Sequence, residues 1–326
     1  MTALLPRSIK VITLGVDADH GLKADAPLPV GASAAIGSFD GVHIGHQHVI
    51  ESAIAAAKTK GVPSAVICFD PHPQSFFHKD GTPFRLMTLS QQLRAFEALG
   101  VDYAFVLSFD ANLSSLTAED FARLILRDYL KLSHVSAGFD FQFGKRGGGH
   151  ANDLVAFGEQ FGFTTDILPC QTDANGHKLS SSAVRDALLA GDARTATEIL
   201  GRPQAYLGEV IHGAKQGRTI DFPTLNLTLG DYQRPRYGIY ITQTTLPDGR
   251  VINGVSNVGV RPTVGGDTEL LETYLFDFGE EIYGQVVETA LLDFIRPEAK
   301  FVSFDEMKLE IQNDATKARA YFFKSA

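Results

Sequence analysis

Two histidines in the segment Ala34–His48 have the spacing of a phosphate-handling site. The segment reads A-A-I-G-S-F-D-G-V-H-I-G-H-Q-H, so only two residues separate His43 from His46. Apolar residues at helical spacing follow His46, which predicts that both histidines lie in the first turn of a helix. Unpaired backbone N–H groups and the positive end of the helix dipole favour an anion there. The pattern therefore predicts a nucleoside triphosphate site, with the chemistry at the α-phosphate.

A strand and a tight turn must position these histidines. The apolar run 34–36 reads as a strand that ends at Gly37, and Phe39 and Asp40 lie in the turn that follows. Strands alternate with helices over residues 30 to 190, which predicts a parallel α/β sheet. Ligands of such sheets bind beyond the carboxyl ends of the strands. The predicted strands are 9–14, 34–36, 64–69, 103–108, 134–138 and 164–168, with helices at 89–99, 117–130 and 182–190.

The pattern changes after Gly191. A short helix at 195–200 ends in Gly-Arg-Pro. Short alternating strands with glycine-rich turns then predict an antiparallel barrel, with five strands at 206–211, 237–244, 251–258, 271–276 and 285–294. A last helix is predicted at 304–323. The predicted domains are 1–190, with its motifs from about residue 32, and 204–326, with 191–203 as a linker.

Composition narrows the classes of function. The chain has 326 residues, which favours two domains. A net charge of -9 argues against non-specific nucleic-acid binding, and the two cysteines have no metal or redox spacing. No apolar run approaches the roughly 20 residues of a membrane span, and the N-terminus does not resemble a signal peptide. We expect a cytoplasmic enzyme that acts on small-molecule substrates and has no nucleic-acid or membrane partner. We expect it to be a monomer or a weak homo-oligomer.

Four motifs in the first domain carry a family resemblance. They are G-S-F-D-G-V-H-I-G-H at 37–46, F-D-P-H-P at 69–73, G-F-D-F-Q-F-G-K at 138–145 and S-S-S-A-V-R at 180–185. Together they resemble the nucleotidylyltransferase superfamily, and more narrowly the bacterial bifunctional riboflavin kinases/FMN adenylyltransferases. The resemblance implies a Rossmann-like α/β domain that transfers AMP from ATP to FMN, giving FAD and pyrophosphate.

The resemblance also implies roles for single residues. His43 and His46 would be catalytic, since imidazoles can donate hydrogen bonds to phosphate oxygens as negative charge develops. Arg185 would present a guanidinium fork to phosphate. In the first domain, the residues implied for nucleotide or phosphate binding are Gly37, Phe39, Asp40, His72, Asp140, Ser181, Ser182 and Arg185.

Each motif has a plainer interpretation. His43, His46 and His48 could form a metal cluster, although no cysteine or well-spaced carboxylate completes it. The serines at 180–182 could be only a helix N-cap, and F-D-P-H-P only a loop made rigid by prolines. Residues 138–146 do not form a Walker A motif, because the glycine spacing is one residue too long and Arg146 replaces Ser/Thr.

The second domain resembles riboflavin kinase. The segment G-A-K-Q-G-R-T-I-D-F-P-T-L-N-L at 213–227 is similar to that family's signature, and further blocks match at 237–240, 254–263, 271–275 and 296–301. The resemblance implies an antiparallel β-barrel that phosphorylates riboflavin to FMN with ATP and Mg²⁺. It implies Gly213 and Gly217 at the ATP phosphates, Thr224 and Asn226 on Mg²⁺, Glu272 as the base, and Arg296 on the flavin.

Two residues depart from that signature. Asp221 stands where the family has Gly, and Leu225 stands where it has Ala. An alternative is therefore an FMN adenylyltransferase whose barrel binds flavin while its kinase activity is weakened or lost. Glu272 could also be an ordinary outward-facing carboxylate on a strand. A third interpretation is a flavin carrier without enzymatic activity. In such a protein the phosphate-binding residues would have no function, so the presence of all these motifs argues against it.

Overall fold

The computed structural model describes residues 8–77, 81–212, 223–263 and 266–324. The chain forms two compact units. One, the α/β unit, comprises Pro6–Thr82 and Gln92–Leu179, and the other, the barrel unit, comprises Pro83–Gln91 and Ser180–Ala326. The helices are α1 (Ile44–Lys60), α2 (Pro73–Phe77), α3 (Leu89–Ala98), α4 (Ala111–Ser115), α5 (Ala118–Asp120), α6 (Ala151–Phe161), α7 (Ser181–Ala190), α8 (Ala193–Leu200) and α9 (Phe304–Lys324).

The α/β unit is built on a seven-stranded sheet. Its strands are β1 (Lys10–Val16), β2 (Leu22–Ala24), β3 (Ser33–Ile36), β4 (Ser64–Asp70), β5 (Tyr103–Ser108), β6 (His134–Gly138) and β9 (Thr164–Leu168), while β7 (Gln142–Phe143) and β8 (Gly149–His150) form a separate hairpin. The order is β2-β1-β5-β4-β3-β6-β9, and all neighbours are parallel except β1 and β2. The predicted parallel α/β sheet is confirmed.

Continuous apolar runs explain why these strands are central. Leu14, Ile36, Ile67, Phe105 and Leu107 are each at most 1% exposed and belong to one core. Such runs are typical of parallel strands that are covered on both faces. Because burial of these side chains holds the strands in place, the polar residues that follow the strands lie together at the carboxyl edge of the sheet.

The predicted helix at 117–130 has an unexpected geometry. Thr117 caps its start, accepting a hydrogen bond from the Asp120 backbone N–H at 3.0 Å, as the T-A-E-D pattern predicts. From Phe121 to Tyr129 the helix is π-helical, and Leu130 N–H donates to the carbonyl of Ile125, five residues earlier. Hydrophobic spacing predicts a helix here, but it does not distinguish α from π hydrogen bonding.

A buried histidine lies beneath α1 in the α/β unit. His134 is 4% exposed, and its Nδ1 lies 2.8 Å from Thr164 Oγ1 while its Nε2 lies 3.0 Å from Ser136 Oγ. Burial lowers the pKa of His134, although Asp166, 3.6 Å away, acts in the opposite direction. The folded unit therefore holds this imidazole neutral.

Acidification should loosen this region. Below the ordinary histidine pKa of about 6.5, the opened state gains a proton that the folded state does not bind, so stability falls with falling pH. We expect the free energy of opening of β6, measured by hydrogen exchange, to decrease between about pH 7 and about pH 5. The variant His134→Gln should flatten that pH dependence. An unchanged pH slope in the variant would contradict the assignment.

The barrel unit contains a six-stranded antiparallel sheet. Its strands are β10 (Gln204–Glu209), β11 (Thr224–Thr228), β12 (Gly238–Thr245), β13 (Val251–Thr263), β14 (Gly266–Leu275) and β15 (Val286–Pro297), in the order β10-β15-β12-β13-β14-β11. A bridge between Ile211 and Asn226, with an N–H···O distance of 3.0 Å, joins the two edges. The predicted antiparallel barrel is confirmed.

The two faces of this sheet have different neighbours. Leu227, Val258, Leu271 and Tyr206 point into the barrel core, and α9 packs Ala315 and Ala318 against the other face. Strand β11 is not among the predicted strands, because its short alternation of apolar and polar residues follows a glycine-rich segment. The described barrel unit therefore has one strand more than the prediction.

The predicted linker at 191–203 contains α8, whose Ala193 belongs to the barrel core. The compact units divide at Ser180 rather than within that segment, and Pro83–Gln91 also belongs to the barrel unit. The assignment of one activity to each predicted domain remains a prediction. In the part of the chain that the structure describes, no helix is long and apolar enough to cross a membrane.

Candidate active sites

The predicted residues of the α/β unit lie just after the carboxyl ends of three neighbouring strands, β4, β3 and β6. The chain passes from β3 to β4 on one side and later returns to β6 on the other, so the strand order reverses beside β3. The turn after Ile36, His72 after β4, and Asp140 after β6 follow these adjacent ends. Such a reversal is where ligands of open α/β sheets bind.

His43 and His46 form one unit at the start of α1. His43 is the N-cap, and its Nδ1 accepts a hydrogen bond from the His46 backbone N–H at 3.2 Å. The two imidazole rings stack with centroids 3.6 Å apart, and Phe39 meets His46 edge-on at 5.3 Å. His43 is 6% exposed. The predicted placement of both histidines in the first helical turn is confirmed.

The turn before these histidines has an uncommon backbone. Phe39 has φ +49° and Val42 has φ +41°, on either side of Gly41 at +86°. A β-branched residue in this region is strained, and such strain persists where surrounding contacts enforce it. Gln92 supplies such contacts, because its Nε2 donates to the carbonyls of Ser38 and Phe39 at 3.1 and 3.0 Å.

Gln92 is a residue that the sequence analysis missed. It is 1% exposed, and Gln92→Leu would remove the amide donor from both carbonyls, so that Phe39 would keep the Val42 N–H as a donor. We expect adenylyl transfer to fall by about tenfold as the turn relaxes, with riboflavin phosphorylation unchanged. Both rates can be measured by chromatography of the flavin products. The exposed Gln160→Leu is the matched control, and equal loss of both activities would contradict this role.

Two glycines make room for the aromatic groups. A Cβ on Gly45 would lie 3.1 Å from the His43 ring, and one on Gly37 would lie 3.1 Å from the Phe39 ring. Both contacts are tighter than ordinary side-chain packing, so neighbouring rings would have to shift. The H-x-G-H motif therefore needs glycine at residue 45 because a side chain there would press against the His43 ring, which the spacing of the motif does not reveal.

The other predicted residues of this unit already have partners. His72 is buried, and its Nδ1 accepts a hydrogen bond from Gln74 N–H at 3.1 Å. Asp140 is exposed and pairs with Lys178 at 2.7 Å. His48 lies 3.9 Å from Glu51. Across the described ranges, no group of three His, Cys, Asp or Glu residues could hold a metal ion, so the histidine metal-cluster interpretation fails.

The serine motif begins α7, which belongs to the barrel unit. Ser180 is the N-cap and accepts a hydrogen bond from Ala183 N–H at 3.2 Å, so the N-cap interpretation holds for this serine. Ser181 and Ser182 are the first helical residues. Arg185 donates from Nε to the Phe84 carbonyl at 2.9 Å, and its guanidinium lies over the Phe84 ring. Phosphate binding by Ser181, Ser182 and Arg185 remains a prediction.

Three polar residues of the barrel unit form a row across neighbouring strands. Asn226 on β11 pairs in register with Glu272 on β14, which pairs in register with Asn257 on β13. Directly opposite residues share a face of the sheet. Their neighbours Leu227, Leu271 and Val258 point into the barrel core, so this row lies on the opposite face.

Glu272 is a half-buried carboxylate in a mixed electrostatic environment. Burial raises its pKa above the usual range, and Glu298 adds to this effect. Arg261, with Nη1 3.8 Å from Oε1 of Glu272, and the amide of Asn257 act in the opposite direction. A raised pKa suits a proton acceptor near neutral pH. Glu272 faces away from the barrel core, as the interpretation of an outward-facing strand carboxylate expects, and its role as the base remains a prediction.

Thr224 lies two residues before Asn226 and lines a cavity of about 490 Å³. Pro223, Thr273, Phe278 and Tyr283 also line this cavity. Gly213, Gly217 and Asp221 lie outside the described residues, so their predicted roles remain predictions.

Arg296 has a strong partner within its own unit. Its Nη2 donates to Asp314 of α9 at 2.6 Å, and its Nε donates to the same carboxylate at 3.1 Å. Asp314 is 2% exposed. Such a fork-shaped contact ties β15 to α9. Arg296 therefore has a structural role in this unit, and flavin binding by its side chain remains a prediction.

Two family models match this chain. The model of FAD synthetase matches residues 26–183, and the model of riboflavin kinase matches residues 200–322. The fold and these matches define a chain that joins a FAD synthetase domain to a riboflavin kinase domain.

Relatives match both domains together. A bifunctional riboflavin kinase/FMN adenylyltransferase from Haemophilus influenzae is 40% identical over 90% of this chain and 94% of its own length. One from Pseudomonas fluorescens is 38% identical over 94% of this chain and 98% of its own length. The chain belongs to the family of bifunctional riboflavin kinases/FMN adenylyltransferases.

A solved structure shares the architecture. It is described as a macrolide-efflux protein from Streptococcus pneumoniae, is 30% identical, and covers 94% of this chain and 99% of its own, with a TM-score of 0.81. Its described function is that of the other protein, and the likeness here concerns the fold.

Proposed function

We propose that this enzyme phosphorylates riboflavin to FMN with ATP and then transfers AMP from a second ATP to FMN, releasing pyrophosphate and giving FAD. The observation that carries the proposal is the presence of both family domains on one chain, each with its own polar site. The substrates are small molecules, namely riboflavin, FMN and ATP.

The adenylyl-transfer site would lie at the start of α1. The FMN phosphate would attack the α-phosphate of ATP, and pyrophosphate would leave. His43 and His46 stand at the helix N-terminus, where N–H groups and imidazole donors can stabilise the charge that develops on the phosphate oxygens. Gly37, Phe39 and Asp40 would shape the turn, and His72 and Asp140 would border the nucleotide.

An aromatic cluster beside His72 suits a flat flavin ring. Phe76 and Phe77 of α2 each meet Phe109 edge-on, at 5.5 and 5.7 Å, and Phe77 is 59% exposed. An exposed aromatic surface of this kind offers stacking area to a planar ligand. We assign the isoalloxazine ring of FMN to this cluster.

The kinase site would lie on the row of Asn226 and Glu272. Glu272 would accept the proton of the ribityl 5′-hydroxyl as its oxygen attacks the γ-phosphate of ATP. The cavity beside Thr224 would take the nucleotide.

A magnesium ion fits the residues of this site. Asn226 is 2% exposed, and its buried Oδ1 has no hydrogen-bond partner among the residues that the structure describes. A buried amide oxygen near a hydroxyl is a suitable ligand pair for a hard cation that also binds phosphates. Thr224 and Asn226 would hold the ion, which would neutralise charge on the ATP phosphates.

Replacing Asn226 tests this assignment. We expect Asn226→Ala to raise the Mg²⁺ concentration for half-maximal FMN formation by about tenfold or more, because one ligand is lost. FAD formation from supplied FMN should keep its Mg²⁺ dependence. Thr228→Ala, at an exposed position on the same strand, is the matched control. An unchanged Mg²⁺ requirement for the kinase would rule out Asn226 as a ligand.

Two incubations test the proposal as a whole. The enzyme is mixed with ATP and Mg²⁺ and with either riboflavin or FMN, and FMN and FAD are followed by chromatography. FMN without FAD would refute adenylyl transfer. FAD from supplied FMN, without FMN from riboflavin, would support the single-activity alternative that Asp221 raises, and Asp221→Gly should then restore the kinase.

A further inference from the structure

The catalytic row of the barrel unit contains a third residue that the proposed chemistry has not used. Asn257 lies in register with Glu272 on the neighbouring strand, so its side chain stands beside the carboxylate on the same face. We infer that Asn257 is a positioning residue of the kinase reaction, which orients Glu272 through its amide group and accepts a hydrogen bond from riboflavin. This inference rests on the proposed kinase function.

The amide group of Asn257 faces two carboxylates. Its Nδ2 donates to Oε1 of Glu298 at 3.4 Å, and on the Glu272 side the amide acts as a donor that lowers the pKa of that carboxyl. A carboxylate only accepts hydrogen bonds, so both contacts need the NH₂ side of the amide. Two acceptors on that side fix which way the amide points.

The orientation of the amide leaves its oxygen for another group. Oδ1 of Asn257 is buried, and no residue within the described parts of the chain donates to it. Buried acceptors are nearly always satisfied, so an unsatisfied one beside a proton acceptor indicates a ligand donor. Riboflavin carries hydroxyl donors on its ribityl chain, next to the hydroxyl that reacts. The oxygen is therefore suited to accept one of these hydroxyl hydrogens.

Gly259 keeps Glu298 in contact with this row. A Cβ at residue 259 would overlap the Glu298 carboxylate and come within 3.3 Å of Asn257 Nδ2. The absence of a side chain therefore lets the carboxylate lie against the strand, where it reaches the amide. Arg261 on the same strand approaches Glu272 from another side at 3.8 Å. Glu272 is thus bordered by Arg261 and by Asn257, whose buried oxygen, unlike that of Asn226, has no assigned role so far.

Two variants separate the two functions of the amide. Asn257→Ala removes donor and acceptor, so we expect kcat for FMN formation to fall by about tenfold or more and KM for riboflavin to rise by about tenfold. Asn257→Asp keeps an acceptor oxygen but loses the NH₂ donors. It should lose kcat similarly while KM for riboflavin stays within about threefold of the wild-type value.

The same enzyme provides the folding control. FAD formation from supplied FMN should be unchanged in both variants, since that reaction is assigned to the α/β unit. Asn253→Ala is the matched control on β13, because Asn253 lies four residues earlier on the same face and binds Gln243. It should leave kcat and KM for riboflavin unchanged.

The outcomes distinguish this inference from the kinase proposal itself. Wild-type enzyme that makes no FMN would refute the kinase proposal and the inference with it. A normal wild-type kinase with unchanged constants in both Asn257 variants would overturn the inference alone. Equal losses in Asn253→Ala, or lost FAD formation in Asn257→Asp, would assign Asn257 to strand stability instead.

Discussion

Replacement of His43 by asparagine should abolish FAD formation from FMN while FMN formation from riboflavin continues. Asparagine is a good N-cap, so His43→Asn keeps an acceptor for the His46 backbone N–H and preserves the start of α1. It removes the imidazole that stacks on His46 and that we assign to the phosphates. Because donors to developing charge each contribute about 100-fold or more, we expect at least that loss in kcat.

The control for this variant lies on the same helix. His48 is exposed, lies near Glu51, and has no assigned role, so His48→Asn should retain full activity in both reactions. Rates of FAD formation from FMN and of FMN formation from riboflavin are measured on each protein. Loss of both activities in His43→Asn, with a native circular dichroism spectrum, would contradict independent sites. Retained FAD formation would show that His43 acts only as a cap.

Much of the fold follows from local sequence patterns. The apolar runs of β4 and β5 predict buried parallel strands, and the alternation in β12 and β15 predicts the barrel. These patterns are strong because burial of one face or both faces dictates them. The motifs also predict that His43 lies at the start of a helix and that Glu272 lies on a strand, and the structure places both there.

The supporting contacts could not be predicted in the same way. Gln92 holds the turn at Ser38 and Phe39 from more than fifty residues away, and no local pattern marks it. Asn257 lies within a recognised motif, but its relation to Glu272 depends on the register of two strands. The positive φ values at Phe39 and Val42 are also invisible to spacing, because neither residue type favours them.

Replacement of Glu272 by glutamine should have the opposite effect to His43→Asn. Glutamine has nearly the same shape and can keep the contact with Asn257, but it cannot accept the substrate proton at neutral pH. A general base contributes about 100-fold or more, so kcat for FMN formation should fall at least that far while FAD formation from FMN persists.

The closest control for this variant is a carboxylate on an outer strand of the same sheet. Glu209 on β10 is exposed, so Glu209→Gln should leave both activities unchanged. If Glu272→Gln keeps its kinase activity, another group accepts the proton and the row of Asn226, Glu272 and Asn257 serves binding alone. If kcat falls while KM for ATP and riboflavin stay constant, Glu272 acts in the transition state rather than in substrate binding. Paired with His43→Asn, that result would place the two reactions in separate sites on one chain.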